Sequence, residues 1–187
     1  MGICNRSELS ARISGKRLQI EPFTMDDLGQ SCVDLHVGGC MWRLVAEKGI
    51  DPRVTQKYEK VKITVEGANM VPGNLYLIET REKVTNRSNN LLLSLNQNVS
   101  RLGYISMPSI VEVGHSGKFL IPVSAVSLVR VVWGMPFVRM QVLEAGMAVK
   151  KMYEGHFANG HVENKQYTKE EVKNESKTDI QSTNGKK

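Results

Sequence analysis

The sequence predicts an all-β fold, a sandwich or barrel. Three observations predict it. Short alternations of apolar and polar residues recur from Leu18 to Leu143. Glycine and proline turns separate them at intervals of about 8–12 residues. Little of the chain carries the 3.6-residue apolar period of a helix, and no internal repeat of fixed period is present.

In chain order, Ser7 to Gly15 reads as a short helix, with Ser7 as N-cap, Leu9 and Ile13 on one face and Gly15 as the stop. Leu18 to Ile20 begins a strand that Pro22-Phe23 ends, and Asp26-Asp27 marks a turn or short helix. Ser31 to Leu44 alternates, with Val33, Leu35 and Val37 on one face and Cys32, Asp34 and His36 on the other. Gly38-Gly39 predicts a bulge or bend. Asp34 is an acid inside a strand pattern, read as bonded to a neighbouring loop or as touching a substrate. Glu47 to Lys60 is polar and reads as an excursion, and Val61, Ile63 and Val65 read as a strand.

Val71 to Asn74 is a turn signal. Leu75 to Thr80 and Glu82 to Thr85 read as two short strands, followed by a polar loop from Arg87 to Asn90. Leu91 to Leu95 and Val99 to Ile105 are expected strands around a polar knot, Asn96-Gln97-Asn98. A glycine turn, Val111 to Gly117, precedes a strand from Phe119 to Val123. Further strands are expected at Val126 to Val132 and Phe137 to Leu143, with a turn at Gly134-Met135-Pro136 between them. Arg139 and Gln141 fall on the polar face of the last. Met147 to Tyr153 closes the folded part, so a β domain is expected over 1–160. Residues 161–187 hold few apolar groups and six lysines against five acids, a composition expected to form a polar tail.

Composition bounds the function. The chain has 187 residues, 41% hydrophobic and 24% charged, with a formal net charge of +6. No apolar run approaches the roughly 20 residues that a membrane helix needs. The start of the chain lacks a signal-peptide core, and Arg6 breaks a near-match to a myristoylation pattern. A cytoplasmic or virion location is expected, without membrane contact. The positive charge suits a plain basic protein or one that attracts phosphates, but no Lys/Arg block interleaves with aromatics. Three cysteines (Cys4, Cys32, Cys40) argue for a reducing compartment. Cys32, His36 and Cys40 would share one side of a strand, which cannot wrap three ligands around an ion, so no metal site is expected there. Polar residues wedged between buried strands are costly unless bonded or used, which makes Asn89 to Pro122 the expected place for a site.

Several segments match one family in order. Gly15 to Phe23 resembles its "GrLxIxPF" segment, and Gln30 to Gly38 its "qpxSxDlRLG". Val71 to Glu82 resembles "lxPGefxLaxTxE", and Ser100-Arg101-Leu102-Gly103 the end of "grSSlaRlG". Val111 to Gly117 resembles "iDPGfxG", Gly134 to Leu143 "Gmxixqlxf", and Met152 to His156 "kYqgQ". Over about residues 7–157 the chain resembles the dCTP deaminase branch of the dUTPase superfamily. The resemblance implies a distorted jelly-roll (β-clip) fold and a homotrimer with nucleotide sites between subunits. It also implies, for an enzyme, Mg²⁺ and a deoxynucleoside triphosphate.

The departures from the family fall on its chemistry. Its Arg-Ser-Ser phosphate motif aligns with Asn96-Gln97-Asn98, and Arg101 remains. The water-activating glutamate of the deaminases aligns with Pro122, which has no proton-accepting group. Glu112 stands for the aspartate of the glycine turn, one bond longer. His115 replaces an aromatic that stacks on deoxyribose in dUTPases, and otherwise reads as a surface histidine. The phosphate-covering lysine and glutamine align with Met152 and His156, and Phe157 reads as a stacking lid or a packing residue. Candidate site residues are therefore Glu112 for catalysis and Gln97, Asn98, Arg101, His115 and Tyr153 for the nucleotide, with no resident metal. The sequence favours a non-catalytic trimer that is structural or binds a partner, such as capsid or other assembly proteins. The alternative is a divergent dCTP deaminase or dUTP diphosphatase using Mg²⁺. A regulator that binds nucleotide without turning it over is a weaker third reading.

Overall fold

The computed structural model describes residues 2–45 and 56–144. It contains α1 (Arg6–Ser14), β1 (Leu18–Glu21), a 3-10 turn (Met25–Asp27), β2 (Val33–Val45), β3 (Lys57–Lys62) and β4 (Ala68–Met70). These are followed by β5 (Tyr76–Asn86), β6 (Leu91–Leu95), α2 (Gln97–Arg101), β7 (Tyr104–Ile105), β8 (Ser109–Val111), β9 (Ser116–Ala125), β10 (Val129–Val131) and β11 (Pro136–Val142). The all-β expectation holds. The segment expected to close the folded part, Met147 to Tyr153, and the tail at 161–187 lie outside the described residues.

One curled sheet runs in the order β7-β9-β5-β2-β11-β6-β8, with β1 added to β5 and β3 to β2. β10 and β4 form a separate ribbon. β2 is the axis. Its first residues pair with β11 (Asp34↔Arg139) and its later ones with β5 and β3 (Trp42↔Leu77, Trp42↔Lys60). The core packs between the curled faces: Leu9 from α1, Val33, Leu35, Val37 and Met41 from β2, Tyr76, Ile78 and Val84 from β5, and Phe137, Val138 and Met140 from β11. At the ends of the sheet β7 and β8 are two and three residues long. β3, the flank of β2, carries Lys57, Lys60 and Lys62.

The bend predicted at Gly38 is a shift of register. Val37 faces Thr80, but Met41 faces Ile78. The two backbones press together there: a Cβ on Gly38 would lie 2.8 Å from the Glu79 carbonyl and 2.9 Å from that of Thr80. Beside the bend Glu82 is buried at 1% exposure. Its carboxylate accepts from the His36 amide and meets His36 Nδ1, both at 2.8 Å, and accepts from Arg81 Nε at 2.9 Å. Asp27 Oδ1 approaches the other ring nitrogen at 3.6 Å. The Thr80 hydroxyl donates to the Glu82 carbonyl and accepts from the Phe119 amide, binding β9 to the same point.

Several boundaries differ from expectation. Helix α1 is capped by Asn5, not Ser7: Asn5 Oδ1 accepts from the Glu8 amide and the Glu8 carboxylate accepts from the Asn5 amide. This reciprocal box satisfies two exposed amides at once, which Ser7 cannot do from inside the first turn. The two strands expected at Leu75 to Thr80 and Glu82 to Thr85 are one, β5 (Tyr76–Asn86), with a bulge. The strand expected at Val61 to Val65 instead spans Lys57–Lys62, largely inside the expected excursion, because β2 extends to Val45 and offers it a partner; Ile63 and Val65 lie beyond its end. The strand expected at Val126 to Val132 is confined to Val129–Val131. Of the strand expected at Val99 to Ile105 only Tyr104–Ile105 forms, as β7, because α2 occupies the first part.

Removing the Glu82 carboxylate strands a guanidinium and an imidazole beside the core. Glu82→Ala is expected to cost about 3–5 kcal/mol, read as a lowered urea midpoint. A midpoint equal to wild type would show that the cluster contributes nothing to stability.

Candidate functional site

The polar knot is built as a helix start. Asn96 is buried and ties three elements together: its amide donates to the Phe137 carbonyl at 2.8 Å, its Oδ1 accepts from the Asn98 amide at 3.0 Å, and its Nδ2 lies 3.4 Å from Asp34 Oδ1. Val99 anchors α2 in the core, while Gln97, Asn98, Ser100 and Arg101 face solvent. The sequence therefore placed three candidate residues, Gln97, Asn98 and Arg101, on one short exposed helix. Gly103 closes it with φ +92, and a Cβ there would lie 2.6 Å from Val126 Cγ2.

Beneath the helix a second group of polar residues gathers. Arg139 Nε lies 3.5 Å from Asp34 Oδ1, on paired positions of β11 and β2. Through Asn96, Asp34 also bonds to the loop ahead of α2, as one reading of the sequence had it, though its side chain is 31% exposed and not buried. Cys32 is buried next to them. Burial pushes its thiol pKa up; Arg139 opposes the shift and Asp34 adds to it.

The glycine turn sits elsewhere. Gly114 has φ +111, and the turn is held to the end of β5 by Gly114 N to Asn86 O and Asn86 N to His115 O, both 2.9 Å. His115 is not a surface residue. It is 6% exposed, its ring stacks on Phe119 with centroids 4.5 Å apart, and its Nε2 lies 3.2 Å from the Gly117 carbonyl. A ring packed this way has its face covered by its own chain. Glu112 is exposed, and no side-chain partner holds it among the described residues.

Register separates these two places. Val111 pairs with Leu91 at the start of β6, whereas α2 begins after Leu95 at its end. Five residues of strand put roughly 17 Å between them. Within one chain, Glu112 does not share a site with Gln97, Asn98 and Arg101. Pro122 lies in the middle of β9, opposite Leu77. It is two residues from Ser124, which pairs with Ile105 of β7 just after α2. The position aligned with the deaminase glutamate is thus on the α2 side of the molecule, and carries proline. Tyr153, Met152, His156 and Phe157 lie outside the described residues.

Sequence reasoning missed the cluster of His36, Arg81 and Glu82. A signal existed: Tyr76, Ile78, Thr80, Glu82 and Val84 share one parity, all facing inward. Splitting the strand at Arg81 concealed it.

Comparison with known proteins agrees with the fold. A family model described as dCTP deaminase-like matches residues 3–144. A dCTP deaminase of Ignicoccus hospitalis is 27% identical over 149 residues, 75% of this chain and 83% of that one. The crystal structure of 2′-deoxycytidine 5′-triphosphate deaminase from Agrobacterium tumefaciens superposes with a TM-score of 0.60 at 16% identity. That match covers 75% of this chain and 47% of the other, so the chain spans about half the length of that protein. A mutant dUTPase of phage 80alpha aligns at 10% identity over 74% of this chain and 96% of its own, with a TM-score of 0.46. The fold is the distorted jelly roll expected from the sequence.

The three thiols should separate by accessibility, since Cys4 and Cys32 are buried and Cys40 half-buried. The raised Cys32 value leaves less thiolate at any given pH than an ordinary thiol has. Mass spectrometry of the native protein with a thiol reagent at pH 8 is expected to find Cys40 labelled first and Cys32 only after unfolding. Equal rates at the two would contradict the burial of Cys32.

Proposed function

The chain belongs to the dCTP deaminase-like family, and on that footing we propose that it is a member without nucleotide turnover, a homotrimer that serves as a partner-binding or structural unit. One observation carries the reading: among the described residues the two positions aligned with family carboxylates do not build a base at α2. The deaminase position is Pro122, which has no group to take a proton from water. The glycine-turn position is Glu112, exposed and far along β6. Amides in place of the serine hydroxyls crowd the surface on which a triphosphate would lie.

Association of copies is supported by exposed apolar side chains around the same helix. Leu102, Ile105 and Val126 are more than half exposed, and they are neighbours because the Val126 amide donates to the Gly103 carbonyl. Met107, at 79%, extends the patch. Contiguous apolar surface of this kind marks an interaction site. A trimer built on it would bring a neighbour's residues to α2.

A second reading has its own observation. Asp34 and Asn96, bonded beneath α2, place a carboxylate beside Arg101's helix. With a neighbour's Glu112 and Mg²⁺, that corner would be a divergent deoxynucleoside triphosphate site.

Incubation of the full chain with dCTP and dUTP plus Mg²⁺ separates the readings. The expected result is no deamination, no pyrophosphate release and no thermal shift at millimolar nucleotide. Turnover that disappears in Glu112→Gln would overturn the proposal. Sedimentation is expected to give three times the 20.9 kDa chain mass, and Ile105→Glu with Met107→Glu to give the single-chain mass. A monomeric wild type removes the trimer from the proposal.

A further inference from the structure

We propose that Cys4, Glu8 and Glu144 form a site for a thiophilic divalent cation of the Zn²⁺ class, which would clip the segment around α1 to the residues that follow β11. The three come from places that the fold brings into contact. Residues 2–4 lie antiparallel to residues 142–144: the Cys4 amide donates to Val142 O at 3.0 Å, Ile3 bridges Leu143, and the Glu144 amide donates to Gly2 O at 2.9 Å. Glu8 stands in the first turn of α1, one turn beyond Cys4. One sulfur and two carboxylate oxygens then lie within 4.8 Å of one another.

Two observations beyond proximity point to an ion. The Cys4 side chain is fully buried, and its Sγ has no partner among the described residues although it faces both carboxylates. The Glu144 carboxylate occupies the space that a side chain at position 2 would fill, for a Cβ on Gly2 would lie 2.4 Å from its Oε2. No salt bridge to a lysine or arginine holds either glutamate among the described residues, although Arg12 and Arg17 border Glu8; the two carboxylates therefore approach each other without a cation in contact. Glu8 gives Oε2 to the Asn5 amide at 2.8 Å and keeps Oε1 for a ligand bond.

The donor set selects the ion. A thiolate favours a borderline-soft metal over Mg²⁺ or Ca²⁺. Metal–sulfur and metal–oxygen bonds of about 2.3 and 2.0–2.2 Å draw tetrahedral donors to within about 3.3–3.7 Å of each other. Small rotations of the two flexible carboxylates supply that contraction. A water would fill the fourth position. On binding, the thiol S–H bond breaks, the sulfur keeps the electron pair for the metal, and one proton leaves per ion, so affinity rises with pH.

The test uses the full chain stripped with a chelator and titrated with Zn²⁺ and, separately, Co²⁺. One equivalent of Co²⁺ is expected to produce a thiolate-to-cobalt charge-transfer band. Zn²⁺ at about a hundred times its Kd is expected to raise Tm by roughly 5–10 °C. Cys4→Ser should abolish the band, whereas Cys32→Ser and Cys40→Ser should keep it. Glu144→Gln, near the chain surface, should weaken Co²⁺ binding by about tenfold or more, since loss of even an outer-shell partner has that effect; this variant decides the matter should Cys4→Ser fail to fold. No band in the wild type, an unchanged affinity in Glu144→Gln, or a band that vanishes only with Cys40 would each overturn the proposal.

Discussion

The fold depends on a buried carboxylate at the point where β2 crosses β5. Glu82, buried against the apolar core, accepts from the His36 amide, meets the His36 ring and pairs with the partly exposed Arg81. A lone charge there would cost several kcal/mol in lost hydration. Its partners are what make the crossing tolerable, and they fix its geometry. The amide of β2 must stand opposite residue 82, so the shift of register at Gly38 has one permitted place. The sheet curls from that point, and β11, β6 and α2 take their positions from β2. The family segment that Gln30 to Gly38 resembles carries arginine at the position of His36. Here the guanidinium arrives from the adjacent strand instead, as Arg81.

Much of this was legible in the residues. The alternation of Val33, Leu35 and Val37 revealed the inward face of β2, and Gly38-Gly39 revealed its bend, because period-2 burial and close backbone approach are local properties. The strand at Leu91 to Leu95 and the turns at Gly73, Gly114 and Gly134 follow from equally local rules. What escaped depends on distant partners. Val99 to Ile105 looks like a strand by composition, but Asn96 has its amide held by Phe137 and its side chain free to cap, and that arrangement starts a helix. Strand β3 exists at Lys57 because β2 is long enough to pair with it. His115 reads as a surface residue until Phe119 covers it.

The candidate site was legible in part. The sequence indicated that Gln97, Asn98 and Arg101 belong together, and they share α2. It also grouped Glu112 and His115 with them, since all lie in one stretch of chain. Within one chain they do not meet: β6 carries the chain away from the glycine turn, and β8 returns Glu112 to the far end of it. Asp34 and Arg139 come from strands far apart in sequence, and only their pairing places them under α2.

The margins of the sheet bear on how copies of this protein can associate. Its outermost members are two and three residues long, and the flank of β2 is lined with Lys57, Lys60 and Lys62. Among the described residues, β7 and β8 offer little unpaired backbone and β3 sets lysines against an approaching strand, so these three margins resist the addition of another chain strand by strand. At those margins the open-ended ribbons that grow into fibres find no template.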